Sequence, residues 1–486
     1  MTSPFLPPKS VMWLALAGLS SFVSHDAVAQ FNHLSERRPG AGFILGGTGV
    51  ALDTDPSVSL LNPGRLTAAP SGSFYIGRFV DGRIPFVPNL NAPRTPDQLA
   101  VDVDGPSVTG FDVDLLLGGF CYTEDFGTGP TWTREEDPFR TKAKAGHHQL
   151  AVCVQISERE EISLLANQAD GGVSASVDAA WGRRQIGAAW AWNITSRLSV
   201  GVSGFLAISD YQELVLGSFS VPSADETELG TYALTAEGQS FDLAGHLGAV
   251  YRANDHVTLG ASVRLPSVHL LGDWSQVQTQ FDTMGTAVRQ AEEGDFVTRQ
   301  PMRGAMGVGI HGDAFRAEVA TYVHAGDGAM LGVTDVRRTT TTTAGIATEE
   351  DGRDRSEAAD PVANIGIGGE WRAIPDVGLM MGFTTDRNAS RAFDVRAAER
   401  RLTFRRLDRY HFSGGLHFRG DMGQLLLGAR VTWGTGHIRA PSPTLTPPRA
   451  GLSRHDELGL LFSIAGRVDI GAVVSILSSK KEPATP

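Results

Sequence analysis

The sequence predicts an all-β fold, a transmembrane antiparallel β-barrel of about 14 strands, and three observations carry that prediction. The first is a two-residue periodicity, clearest from Tyr410 to Trp433. Tyr410, Phe412, Leu416 and Phe418 fall on one face of an arm, with His411, Ser413, His417 and Arg419 on the other. After the turn Gly420-Asp421-Met422-Gly423, the return arm sets Leu425, Leu427, Ala429, Val431 and Trp433 against Gly428, Arg430 and Thr432. Successive side chains of a strand point to opposite faces, and an arm of about ten residues crosses the hydrocarbon of a bilayer at a tilt.

The second observation is how the connections alternate. Tight turns at 193–196, 252–256, 312–314 and 372–376 alternate with long polar stretches at 210–236, 272–298, 326–360, 388–408 and 435–455. Short turns on one rim and long loops on the other mark an outer-membrane barrel; a soluble sandwich has no reason to gather its long loops at one end. The third observation is export without a membrane helix. Lys9, the apolar run Val11 to Val23 and the small-residue site Ala27-Val28-Ala29 make residues 1–29 a secretory signal peptide. Elsewhere no run approaches the roughly 20 apolar residues of a spanning helix, in keeping with a mean hydropathy of -0.09.

Composition narrows the function classes. A net charge of -12 argues against a nucleic-acid partner, which requires a basic surface. The 2 cysteines, Cys121 and Cys153, make no disulfide framework, and their pairing is left open.

Taken in order, residues 31–72 are glycine-rich and lack the alternation. Within them Asp55-Pro56 reads as a helix start, a capping carboxylate followed by a residue whose missing N–H costs nothing there. Pro63 is expected to stop that helix after about two turns. Phe74 to Val80 is the first strand. The stretch 81–145 is long, acidic and proline-containing; its apolar run Phe111 to Tyr122 fits an extra strand pair, a loop cover or an inward fold. His147–Ser157 and Glu161–Ala169 read as a hairpin about the charged turn Glu158-Arg159-Glu160. Regular pairs follow: 184–192 with 197–209, 239–251 with 257–271, 303–311 with 315–325, and 362–371 with 377–385. The hairpin at 410–433 comes next, and Glu457 to about Ile470 is the last strand. Trp190, Trp192, Tyr251, Trp371 and Trp433 stand near strand ends, where interfacial girdles form.

No motif nominates a catalytic residue. Gly307-Val308-Gly309-Ile310-His311-Gly312 has the GxGxxG spacing, but Phe315, Ala317 and Val319 then alternate with Arg316, Glu318 and Tyr322, so a strand and turn replace the helix a dinucleotide site needs. His147 and His148 are adjacent on a strand, point to opposite faces and cannot chelate together. HExxH, GxSxG and spaced cysteine sets are missing from the sequence, so neither enzyme activity, metal nor cofactor is expected; a catalytic reading would need a Ser/His/acid cluster on one rim. Thr339 to Thr343 is a low-complexity segment with no claim on function. Arg391, Arg396, Arg400, Arg401, Arg405, Arg406 and Arg409 crowd one long loop, either as a solvated segment offset by Asp394, Glu399 and Asp408 or as an attractor of anionic groups. The wet faces carry His246, Arg264, Arg316, Glu318, Glu370, His411, His417, Arg430, Glu457, Arg467 and Asp469, which together imply a polar lumen. An unfilled lumen would leak, and the segment before the first strand has nowhere better to pack than inside it.

Here the residues resemble a known family. Gly49-Val50-Ala51, Asp55-Pro56-Ser57-Val58 and Leu61-Asn62-Pro63-Gly64-Arg65-Leu66 are similar to the start of mature FadL/TodX-type transporters of long-chain fatty acids and aromatic hydrocarbons. Those proteins begin with a glycine-rich stretch, an acidic-small-small segment and an Asn-Pro-Ala motif just before the first strand. Asn62-Pro63 match and Gly64 replaces the alanine; the polar end Ser478 to Pro486 lacks the closing aromatic, and 81–145 is longer than the pattern. The resemblance implies a barrel closed by an N-terminal hatch, with a hydrophobic ligand captured among outer loops, released when the hatch shifts, and leaving sideways through a gap in the wall.

The organisation expected is therefore signal peptide 1–29, hatch 30–72 with a short helix, barrel 73–478 and polar tail 479–486. The function expected is passive uptake of small hydrophobic molecules across the outer membrane of a Gram-negative bacterium. Asp55, Pro56, Asn62, Pro63 and Gly64 are the hatch residues; Leu214, Leu216 and Phe219 are candidates for ligand capture, with Arg400, Arg401 and Arg405 meeting a carboxylate. Expected partners are the hydrophobic ligand, outer-membrane lipid or lipopolysaccharide, and the barrel-assembly machinery. The alternative is a structural or docking barrel serving secretion or surface assembly.

Overall fold

The computed structural model describes residues 41–69, 72–86, 114–125, 145–167, 173–222, 227–282, 287–352, 354–374, 376–388, 405–420, 423–442 and 449–469. The expected signal peptide, the polar tail, Arg400 and Arg401 lie outside the described residues.

The first six strands are β1 (Ser73–Phe86), β2 (Asp114–Asp125), β3 (His148–Asn167), β4 (Val173–Asn193), β5 (Leu198–Pro222) and β6 (Thr227–Arg252). The middle of the chain supplies β7 (Val257–Arg264), β8 (Val268–Asp282), β9 (Ala287–Thr298), β10 (Arg303–His311), β11 (Phe315–His324), β12 (Asp327–Thr342), β13 (Ala347–Asp351) and β14 (Arg355–Ala359). The rest are β15 (Val362–Ile374), β16 (Val377–Asp386), β17 (Arg405–Gly420), β18 (Gly423–Ser442) and β19 (Arg449–Asp469). Each wall strand pairs antiparallel with its neighbours in the order β1 to β7, then β10, β11 and β15 to β19, and β1 pairs with β19 to close the ring. The result is a closed antiparallel barrel of 14 strands, as expected.

Alternation decides what each face meets. On β10, Met306, Val308 and Ile310 are exposed on the outside while Arg303, Ala305, Gly307, Gly309 and His311 are buried inside. Phe412, Leu416, Leu425, Leu427, Val431 and Trp433 continue the outward apolar face, with His411, Ser413, His417 and Arg430 turned inward. Trp190, Tyr251 and Trp371 are exposed outside next to the tight turns, at girdle height.

Several expectations are corrected. Of the Phe111–Tyr122 run, the described part from Asp114 to Tyr122 belongs to β2, a wall strand between β1 and β3. There is no turn at Glu158-Arg159-Glu160: β3 runs straight through it, paired with β4 across a register shift between Ile156 and Glu158. The stretches 210–236, 272–298, 326–360 and the described parts of 435–455 are largely strand, since β5, β6, β18 and β19 continue past the membrane and β8, β9, β12, β13 and β14 extend the wall above it. Outside the bilayer the outer face of a strand no longer meets lipid, so the regular outward apolar run that marks a membrane strand is lost. Cys121 and Cys153 stand opposite each other on β2 and β3 and are joined by a disulfide.

The extension meets the barrel at one level. β7 gives way to β8 at Leu265-Pro266-Ser267, β9 to β10 around Pro301, β11 to β12 at Gly326 and β14 to β15 at Pro361. Proline has no N–H to give a sheet ladder, so prolines in three of these four neighbouring strands interrupt the wall there. Single backbone bonds bridge the gap, from Ser267 N–H to the Gln300 carbonyl (3.0 Å) and from Ala325 N–H to the Met302 carbonyl (2.8 Å).

Candidate functional site

The N-terminal segment from Ala41 to Ala69 is buried throughout. It contains the helical turn α1 (Ala41–Ile44) and two 3-10 turns, Pro56–Leu60 and Pro63–Ala68. Asp55 stands at the cap position as expected, but its carboxylate accepts the Ala41 N–H (2.8 Å) instead of capping its own turn, folding the segment back on itself. Pro63 does not simply end a helix; it opens the second 3-10 turn, with Asn62 as the cap. Asn62 is fully used. Its Oδ1 accepts the Gly64 N–H (3.1 Å), while its Nδ2 donates to the Val50 carbonyl (2.6 Å) and to the Ala249 carbonyl on β6 (3.2 Å). Arg65 Nε donates to the Asp53 carbonyl (2.7 Å). Burial pushes the Arg65 guanidinium down to about 10, helped by the charge of Arg252 and opposed by Asp53, so it remains a cation at neutral pH.

Wall side chains seize this segment from around the ring. Glu318 on β11 accepts the N–H groups of Gly49 (2.9 Å), Ala51 (3.1 Å) and Leu52 (2.8 Å). The Tyr322 hydroxyl donates to the Gly47 carbonyl, and Arg303 on β10 donates to that of Leu60 (3.3 Å). On β5, Ser199 and Ser203 donate to the carbonyls of Gly64 (2.8 Å) and Ser59 (2.9 Å). From β3, Gln149 reaches the Ala69 carbonyl (2.8 Å). Ser413 on β17 reaches that of Ile44 (2.7 Å), and Arg430 on β18 lies over the Phe43 ring at 3.9 Å. These contacts come from strands spaced around the closed ring.

Inward glycines make room for it. A Cβ at Gly248, Gly260, Gly309, Gly368 or Gly382 would come closer than 3.0 Å to Asn62, Val50, Leu52, Leu45 or Gly46 respectively. Gly307 and Gly309 of the GxGxxG stretch therefore admit the segment against β10, and their spacing records the strand period. Toward the tight turns, Glu370 accepts from Arg316 (2.6 Å), His417 (3.0 Å) and Arg419 (3.0 Å), forming a charged floor.

Toward the extension the lumen is lined differently. Asp242 is fully buried and takes the Thr298 hydroxyl, His269 Nδ1 (3.2 Å) and Arg183 (3.8 Å). Beyond lies an apolar cluster of Trp181, Tyr211, Trp274, Phe296, Leu331 and Val333, in which Trp274 stacks on Tyr211 (5.8 Å) and Phe296 (5.7 Å). Ser240 comes within 3.2 Å of His269 Nδ1, and Asp295 within 3.3 Å of His269 Nε2. This Ser/His/acid group is no rim cluster: Ser240 is fully buried and its oxygen already receives the N–H of Thr298 (3.3 Å).

Of the candidate residues, Asp55, Pro56, Asn62, Pro63 and Gly64 gather in the buried segment. Leu214 and Leu216 are exposed on the outer face of upper β5, and Phe219 continues that strand opposite Val173 and Gly230. Arg405 opens β17 opposite Ile438. His147 sits 3.2 Å from Asp125, whereas His148 stacks between Trp190 (5.6 Å) and Trp192 (5.7 Å), so the two diverge as expected. Thr339 to Thr342 lie in β12 of the extension. The aromatic cluster was not anticipated; Tyr211, Trp274 and Phe296 fell in stretches read as loop.

No protein-family model matches the sequence, and no curated protein is similar to it. Solved structures are similar in fold. The Pseudomonas putida toluene transporter TodX has a TM-score of 0.56 and 12% identity, over 92% of this chain and 100% of that one. The Ralstonia pickettii toluene transporter TbuX has a TM-score of 0.54 and 11% identity, over 90% of this chain and 99% of that one. A Pseudomonas aeruginosa FadL homologue has a TM-score of 0.54 and 11% identity, over 89% and 98%. At such identities the likeness establishes the fold alone, a barrel of the FadL/TodX type.

Proposed function

We propose that this chain is an outer-membrane channel of a Gram-negative bacterium for passive uptake of small hydrophobic molecules, with residues 41–69 as its hatch. One observation supports this most: residues 41–69 are buried and held through hydrogen bonds to side chains of strands spaced around the ring. Such a stopper blocks water and ions while it sits, yet can shift without unfolding the wall. Toward the extension Tyr211, Trp274 and Phe296 pack as a buried apolar cluster, in keeping with an apolar cargo. The neighbours named as toluene transporters and a FadL homologue support the same class of cargo. In this reading Leu214, Leu216 and Phe219 gather ligand from the surface, Arg400, Arg401 and Arg405 attract its acidic head or lipopolysaccharide phosphates, and the barrel-assembly machinery inserts the protein. None of these steps calls for catalysis, a metal or a cofactor.

The test is a titration of the purified protein in non-ionic detergent with oleate, oleyl alcohol and toluene, read by tryptophan fluorescence and thermal shift. At least one ligand should quench fluorescence and raise the transition temperature; no response to any of the three would sink the channel reading. Deleting residues 41–66 separates the alternative, a docking barrel for secretion: a channel becomes permeable to small dyes in liposomes, whereas a docking protein loses a partner and stays tight.

A further inference from the structure

We propose that His269 is the moving part of a proton-operated strap that ties the strands above the bilayer to the wall, tight when the ring is cationic and loose when it is neutral. The strap is a chain of side chains from three strands. Asp242 on β6 stands in register with His269 on β8, and its Oδ1 lies 3.2 Å from His269 Nδ1. On the other side of the ring, His269 Nε2 lies 3.3 Å from Asp295 Oδ2 and 3.4 Å from its Oδ1, on β9. Each ring nitrogen therefore faces a carboxylate.

An imidazolium carries two N–H groups, whereas a neutral imidazole carries one and presents a lone pair at its other nitrogen. Only the cation, formed by uptake of one proton from the medium, can donate to Asp242 and Asp295 at once. In the neutral ring one contact sets a lone pair against carboxylate oxygens and is lost. The surroundings of the two acids decide which. The Asp242 side chain is 0% exposed, while that of Asp295 is 34% exposed and can exchange a lost donor for water. A missing donor costs a buried acceptor more than a solvated one, so the bond to Asp295 gives way. In the other tautomer the Ser240 hydroxyl (3.2 Å) donates to Nδ1, and the ring parts from Asp242 instead; the strap is broken in that case too. Asp242 itself stays anchored, because it also meets Arg183 on β4 (3.8 Å) and the Thr298 hydroxyl. The charged groups in contact are thus Asp242 from β6, Asp295 from β9 and, beyond Asp242, Arg183 from β4; with the ring cationic their charges cancel.

The position of the strap supplies a second argument. The β8–β9 ladder starts at Trp274 opposite Gly294 and runs outward from there. Below that level the backbone partner of β9 is β12, with Asp295 opposite Thr334 and Thr298 opposite Leu331. The contact of His269 with Asp295 spans the interval between the ladder and the bond from Ser267 N–H to the Gln300 carbonyl (3.0 Å). In this interval β9 crosses close over β8: a Cβ at Gly272 would lie 2.0 Å from the Phe296 carbonyl oxygen and 2.5 Å from Asp295 Oδ1. Phe296, next to Asp295 in the chain, stacks on Trp274 at 5.7 Å. Release of Asp295 frees β9 beside the buried aromatic cluster, so the outer end of the barrel responds to the acidity of the medium. The strap does not depend on what passes through the barrel.

Hydrogen exchange of the full-length protein in non-ionic detergent tests it at about pH 6 and about pH 8, on either side of the ordinary imidazole transition. Each rate is divided by the intrinsic amide rate at that pH. In the wild type the corrected protection of residues 267–273 and 295–300 should fall about tenfold from the lower pH to the higher, the worth of one hydrogen bond to a charged group, while the hairpin 410–433 stays unchanged. His269→Gln keeps both carboxylates but cannot change charge, and should remove the pH dependence; Asp295→Ala, at a partly exposed position, should remove it as well. Heat-modifiable electrophoretic mobility shows that each variant is a folded barrel, and if His269→Gln does not fold, Asp295→Ala decides in its place. Corrected protection that is equal at the two pH values in the wild type, or a pH dependence that survives in either folded variant, overturns the strap.

Discussion

Replacing Glu318 by alanine removes the side chain that accepts three hatch N–H groups, from Gly49, Ala51 and Leu52. A hydrogen bond to a charged acceptor contributes about 1.5–3 kcal/mol, and a buried donor left unmade costs about 1–3 kcal/mol. Water entering the vacated space recovers part of that sum, so seating of the hatch should weaken by about 3–5 kcal/mol. At 1.4 kcal/mol per factor of ten, the unseated population rises by roughly 10² to 4 × 10³. The loss of negative charge beside Arg65 and Arg316 pushes in the same direction. Glutamine is the graded control: its single carbonyl oxygen can serve Gly49 and Ala51, which share Oε1, but its amide would oppose the Leu52 N–H, for a loss of about 2 kcal/mol. Planar-bilayer recordings should show frequent openings in Glu318→Ala and fewer in Glu318→Gln, with faster hydrogen exchange confined to residues 47–53. If Glu318→Ala keeps wild-type closure and amide protection in a folded barrel, the hatch is not held as described.

Three further outcomes follow from the same geometry. Asn62→Ala loses two donated bonds and the cap of the second 3-10 turn, so the hatch should be weakened by about 2–3 kcal/mol, read as dye leakage from liposomes; Asn62→Asp should keep the cap and recover only part. Gly260→Leu places a side chain into Val50 and Ala51, and should expel the hatch and raise conductance without changing the heat-modifiable mobility of the barrel. Ile367→Arg puts a charge on the outward face of β15, where it should cost about 2–4 kcal/mol in bilayer folding titrations; a value near zero would mean that this face does not meet lipid.

The hairpins around 193–196, 252–256, 312–314 and 372–376 were readable in the sequence because membrane strands advertise themselves through lipid. Outward Val308, Ile310, Val319 and Ile367 alternate with inward Glu318 and Arg316, and only one pairing register satisfies both faces. That signal fails above the bilayer. In β8 and β9, Gln276, Gln278, Gln280, Arg289 and Glu293 leave neither face oily, so strand and loop look alike. The hatch was legible as a segment without strand alternation and through the resemblance carried by Asn62-Pro63, but not in its contacts. Its role depends on partners such as Glu318, 269 residues from Gly49, and no local pattern encodes so distant a bond.

The many-sided grip on residues 41–69 sets a condition on biogenesis. Ile44 and Phe43 are held by Ser413 and Arg430 near the end of the chain, and Ala69 by Gln149 near its beginning. The portion of the mature protein that leaves the ribosome early thus acquires its final neighbours only after the closing hairpins have been made. The seam between β1 and β19 closes a ring whose β17 and β18 also grip the segment, so a barrel lacking those two strands would hold it only in part.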